Sequence, residues 1–175
     1  MVDHLTRRLR ASVQARAIKG DFMTIETGQL APDFTLKDQA GNDVMLSAFR
    51  GDKNVVVVFY PFTFTGVCEG ELCALRDDFS QFEAGGVQVL AVSCDSRHSQ
   101  RIWAEQQGYG FPVLSDFWPH GAVARSFGVF NEDLGCAMRA TFVIDKTGTV
   151  VDTFATANLG TAREKAAYDA ALAKL

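Results

Sequence analysis

The stretch VVVVFYPFTFTGVC, residues 55–68, decides the architecture. Val55 to Tyr60 is an unbroken β-branched and aromatic run, the pattern of a strand buried on both faces. Pro61 ends it, and the apolar spacing that resumes at Gly66 has a helical period, predicting a helix over residues 66–83 closed by Gly85-Gly86. A buried strand, a short loop and a helix with a cysteine in its first turn make up the first unit of an alternating chain.

Outward from this unit the alternation continues. Residues 33–37 and 44–46 read as short strands around Ala40-Gly41-Asn42, and residues 87–93 as a second buried strand. A helix is expected over residues 96–107 ending at Gly108, a strand entry at 112–114, and a short helix over 120–127. Residues 140–145 and 149–154 flank Lys146-Thr147-Gly148 as a hairpin, and the Ala-rich residues 161–175 have helical spacing. Strands separated by helices and finished by a hairpin plus helix imply a three-layer α/β domain with a mixed sheet.

With 175 residues, 47% hydrophobic and 22% charged, the chain has the proportions of one globular domain and is not a disordered or fibrous one. The longest apolar run is far short of the ~20 residues of a membrane span, so no membrane partner is expected. Four cysteines are too few for a disulfide scaffold, and no secretory leader is evident, which makes the reducing cytoplasm the expected compartment. The net charge of −4 is uneven: residues 1–22 carry five Arg or Lys against two Asp, leaving the rest at −7. An acidic body argues against nucleic acid as a partner. The expected division is a basic extension, residues 1–22, ahead of a single domain, residues 23–175.

Cys68 falls where unpaired helix N–H groups favour a thiolate, and Thr65 can cap the turn and aim its hydroxyl at the sulfur. At about 100° per residue, Cys68 shares a stripe with Leu72, Leu75, Phe79 and Phe82, whereas Cys73 turns about 140° away, beside Glu69, Arg76, Asp77 and Ser80. A packing role explains Cys68 as a small buried hydrophobe but fits a cysteine on a polar face less well. The histidines, His4, His98 and His120, show no signature tying one to Cys68, so hydrolysis by a Cys-His pair has little support. The cysteines are 5, 21 and 42 positions apart with no C-x-x-C, which disfavours metal binding and thioredoxin-type exchange alike. No metal and no cofactor are expected. Peroxide chemistry on a thiolate remains, needing no general base once the thiolate exists.

At this point the sequence resembles the peroxiredoxins. Pro61, Thr65 and Cys68 match the family's P-x-x-x-T-x-x-C signature, Glu71 fits three positions on, and Arg139, opening RATFVID, matches the family's active-site arginine. The stretch SDFWPHGAVARSFGVFNE, residues 115–132, is similar to the alkyl hydroperoxide reductase E branch, while Cys73 stands where the Q-type branch has a resolving cysteine. The resemblance implies a thioredoxin-like three-layer sandwich and thiol-dependent reduction of hydrogen peroxide and organic hydroperoxides. Cys68 would be the peroxidatic nucleophile, Arg139 and Thr65 would hold the reacting atoms, Pro61 would shield them, Glu71 would hold Arg139, and Cys73 would resolve the sulfenic acid. An external thiol reductant is implied, whether thioredoxin, a glutaredoxin-like protein or a low-molecular-weight thiol, together with a homodimer. Cys94 and Cys136 are expected to pack. Two other classes stay open: a redox-regulated sensor or holdase oxidised only once, and a disulfide reductase without peroxidase activity.

Overall fold

A computed structural model describes residues 25–175. The expected extension over residues 1–22 lies outside the described residues. The strand predicted at Val55 is β3 (Asn54–Phe59), at the heart of a seven-stranded mixed sheet. It pairs in parallel with β4 (Val87–Ser93) and antiparallel with β8 (Ala140–Ile144). Outside β4 come β5 (Val113–Ser115), β1 (Thr35–Lys37) and β2 (Asp43–Met45), and outside β8 lies β9 (Val150–Ala155). A separate two-stranded ladder joins β6 (Phe130–Asn131) to β7 (Cys136–Ala137).

Period-two alternation in the central strands builds a core on each face of the sheet. Val56, Val58 and Tyr60 join Val89, Ala91 and Val143 on one side. There they meet α1 (Gly66–Asp77), α2 (Phe79–Ala84), α3 (Arg97–Gln107) and α5 (Lys165–Leu172) through Leu72, Phe82, Trp103 and Tyr168. Val55, Val57 and Phe59 point the other way, onto Val123 and Ala124 of α4 (Ala122–Ser126), Phe127 and Leu46. The result is the expected three layers.

Capping sets the ends of α3: Ser96 Oγ accepts the Ser99 N–H at 3.3 Å, and Gly108 closes the helix at φ 68°. The single helix expected over residues 66–83 is two. Asp78, at φ −91° and ψ 0°, separates α1 from α2 and turns Phe79 onto Phe111, with ring centroids 5.8 Å apart, while Phe82 enters the core. The C-terminal helix is also shorter than expected, because residues 158–163 turn inward before it begins.

Candidate active site

Phe59 ends β3, and Tyr60 to Thr65 carry the chain across the carboxyl edge of the sheet into α1. Tyr60 and Pro61 are buried, Phe62 and Phe64 exposed. Phe64 adopts φ 63°, a left-handed conformation that costs an L-residue about 1–2 kcal/mol and must be held by its surroundings. Thr65 stands at the N-cap without a side-chain capping bond; its hydroxyl donates to the Phe62 carbonyl at 2.9 Å. Its proton is thereby committed to Phe62 and is not aimed at the Cys68 sulfur as the sequence suggested.

Cys68 is fully buried, and Arg139 Nη2 donates to its Sγ at 3.2 Å. Arg139 arrives just ahead of β8, the antiparallel neighbour of β3, so sheet pairing brings together residues 71 positions apart. Two further contacts fix its guanidinium: Nη1 donates to Glu71 Oε2 at 2.5 Å and Nε to the Leu159 carbonyl at 2.7 Å. Glu71 lies one helical turn beyond Cys68, on the same side of α1. Thus Pro61, Thr65, Cys68, Glu71 and Arg139 all fall at this edge, the last three in direct sequence of contact.

Sequence reasoning missed Arg163. Its backbone N–H and Nε donate to Glu71 Oε1 at 2.7 and 3.0 Å, and its Nη2 donates to Oε2 at 3.0 Å. Its Nη1 donates to the carbonyls of Phe59 and Ala140, each at 2.9 Å, and so ties β3 to β8. Nothing local marks this arginine; it sits in an Ala-rich tail whose helical spacing conceals an inward-turned segment. Burial alone would raise the Glu71 carboxyl, but hydrogen bonds and charge from Arg163, and then the charge of Arg139, hold it below the usual carboxylate range. Its contribution to stability is therefore present above that range and lost as pH falls through the lowered value.

The other three cysteines differ from Cys68 and from one another. Burial, reinforced by Asp116, Cys136 and Asp95, pushes the Cys94 thiol up to about 12. Burial, with Cys68 and Asp95 behind it, pushes Cys136 up to about 11. Both thiols stay neutral near pH 7. Cys73 does not stand on an open polar face as its helix phase suggested: the end of α3 covers it, with Gln107 Oε1 accepting its S–H at 3.5 Å and the Tyr109 hydroxyl 4.0 Å away. Beside it, Arg76 Nη1 donates to the Gln107 carbonyl at 2.7 Å. Cys68 and Cys73 are free thiols on one intact helix.

A thiol at a helix N-terminus, an arginine aimed at its sulfur and a thioredoxin-like sheet make this edge the candidate active site. The family model described as AhpC/TSA matches residues 27–153. Over 126 residues, 72% of this chain and 82% of the relative, the sequence is 51% identical to alkyl hydroperoxide reductase E of Mycobacterium tuberculosis. It is 39% identical over 130 residues to the chloroplastic peroxiredoxin Q of Sedum lineare, covering 74% of this chain and 68% of that one. Among solved structures, peroxidoxin BcpB from Mycobacterium tuberculosis superposes with a TM-score of 0.75 at 35% identity, over 86% of this chain and 96% of that one. The chain belongs to the AhpC/TSA family, the peroxiredoxins, and is by that membership a thiol-dependent peroxidase.

Proposed function

We propose that the protein reduces hydrogen peroxide and organic hydroperoxides through a sulfenic acid on Cys68, which Cys73 resolves. The observation that carries this reading is the Arg139 contact with Cys68 Sγ inside a buried set of charges. Glu71, Arg139 and Arg163 bring one negative and two positive charges out of water, and a Cys68 thiolate completes a neutral set. The thiolate attacks the terminal hydroxyl oxygen of the peroxide, the S–O bond forms as O–O breaks, and the alkoxide or hydroxide leaves and takes a proton from solvent. Arg139, a fork of donors, follows the negative charge from sulfur to the departing oxygen. Thr65 Oγ, its own proton given to Phe62, accepts the O–H of the peroxide, and Pro61 keeps water off the sulfur. Peroxide consumption over many turnovers with a thiol reductant tests the activity; a single turnover would indicate a sensor.

In the second step Cys73 Sγ attacks the Cys68 sulfur, a disulfide forms, and hydroxide departs with the Cys73 proton as water; two external thiol groups then reduce it by successive exchange, restoring both cysteines and leaving joined as a disulfide. Five helical residues place the two Cα atoms about 8.6 Å apart, beyond the ~7 Å limit of a disulfide, so α1 must open first. Opening breaks the Cys73 and Arg76 contacts to Gln107. Gly70, between the cysteines, has open space where a Cβ would stand. Gly70→Ala therefore fits, strengthens the helix by about 1 kcal/mol and slows the disulfide about fivefold, prolonging the sulfenic acid. Rapid-quench peptide mapping measures this, and an unchanged rate would show that α1 need not open.

The proposed assembly is a homodimer through the loops around the site. Phe62, Phe64, Phe117 and Trp118 are exposed, Trp118 at 81%, and aromatics of this kind favour interfaces. Sedimentation at micromolar concentration should give twice the mass of one chain; a monomer alone would refute the dimer. No described helix is long and apolar enough to cross a membrane. The proposed compartment is the reducing cytoplasm.

A further inference from the structure

We infer that Asp95 is a positioning residue for the peroxide reaction: one carboxylate oxygen holds the loop that carries Pro61 and Thr65 through two hydrogen bonds from Thr63, and a third, from Ser93, ties that oxygen to β4. Asp95 follows the end of β4, next to β3 in the sheet, so the loops leaving the two strands run side by side. Its Oδ2 accepts the Thr63 N–H at 2.9 Å, the Thr63 hydroxyl at 2.8 Å and the Ser93 hydroxyl at 2.7 Å. An ionised carboxylate accepts only, which settles the direction of every proton in the cluster. Thr63 Oγ is left to accept from the Tyr60 hydroxyl at 3.3 Å, and burial, which pushes that phenol up, keeps it a donor. Ser93 Oγ accepts from Gln100 Nε2 at 3.0 Å, and the same amide nitrogen donates to the Leu114 carbonyl at 2.8 Å. Asp95 thus connects the loop to β4, β5 and α3.

The loop needs such an anchor. Phe64 is held left-handed without glycine's freedom, and it lies between Thr63, fixed by Asp95, and Thr65, fixed by Phe62. Release of Thr63 lets Phe64 relax and carries Thr65 Oγ away from the peroxide. The Arg139 contact with Cys68 is made from another strand and does not depend on this loop. Asp95 therefore governs how the peroxide is received and leaves the nucleophile itself unchanged.

This rests on Cys68 as the point of peroxide attack. Asp95→Asn keeps the shape but turns charge-assisted bonds into neutral ones, and should slow oxidation of Cys68 by peroxide about tenfold, as small misplacements of reacting groups do. Thr63→Val, which keeps the N–H and loses the hydroxyl, should slow it about threefold, the share of one hydrogen bond, and Thr63→Ser should restore the rate. Alkylation of Cys68 by iodoacetamide, followed by peptide mapping, must also pass the loop but makes no use of Thr65 Oγ, so a loosened loop does not slow it and it should keep at least about half the wild-type rate in all three. Equal falls in both rates, or wild-type peroxide oxidation in Asp95→Asn, would overturn the role of Asp95. Wild type that is not oxidised at Cys68 would instead overturn the functional reading beneath it.

Discussion

Cys68→Ser is expected to bring peroxide turnover down to the uncatalysed background while the far-ultraviolet circular dichroism stays that of wild type. The fold tolerates the change because serine is nearly isosteric and its oxygen still accepts from Arg139 Nη2 in the same buried site. Chemistry does not tolerate it, since an alcohol is not appreciably ionised at neutral pH and no described side chain at that oxygen stands as a base. Cys73, Cys94 and Cys136 remain in this variant. Two are held neutral by burial and neighbouring charge, and the third is covered by the end of α3. Turnover at the wild-type rate would mean that one of these three is the nucleophile.

The second large effect is expected from Arg139→Lys, with the rate constant for peroxide falling about a hundredfold, the loss that follows removal of one preorganised donor from a developing charge. Arg139 reaches three acceptors at once: Cys68 Sγ, Glu71 Oε2 and the Leu159 carbonyl. A lysine ammonium is a single point and cannot span them. Where it stays with Glu71 the sulfur loses its donor, and where it reaches the sulfur Glu71 loses part of its neutralisation. Stopped-flow oxidation under single-turnover conditions measures the rate constant directly. A value within about twofold of wild type would make Arg139 a structural residue only.

Some of this was legible in the sequence because it depends on neighbours along the chain. The run at Val55 names a strand buried on both faces, Ser96 and Gly108 bracket α3, and the spacing of Pro61, Thr65 and Cys68 marks the site loop. Glu71 shares a helix face with Cys68, again a local property. Arg139 came into view through the family pattern and not through any local signal. Features that require distant segments to meet were hidden. Arg163 reaches Glu71 from 92 positions away, and Asp95 reaches Thr63 across 32. Helix phase put Cys73 on the polar side of α1, whereas it is partly buried and packs against the core beside the end of α3, because phase cannot tell water from the end of another helix. The break at Asp78 was missed for a related reason: each half is helical by itself, and the turn between them answers to the sheet beneath.

The central claim, that peroxide oxidises Cys68 ahead of the other thiols, is tested most directly by mass mapping of the three cysteines left in Cys73→Ser after one equivalent of hydrogen peroxide, with dimedone as the trap. Removal of Cys73 stops the second step and leaves the product of the first in place. The account predicts a dimedone adduct on Cys68 alone, with Cys94 and Cys136 unmodified. An adduct on Cys94 or Cys136 with Cys68 still a free thiol would contradict it.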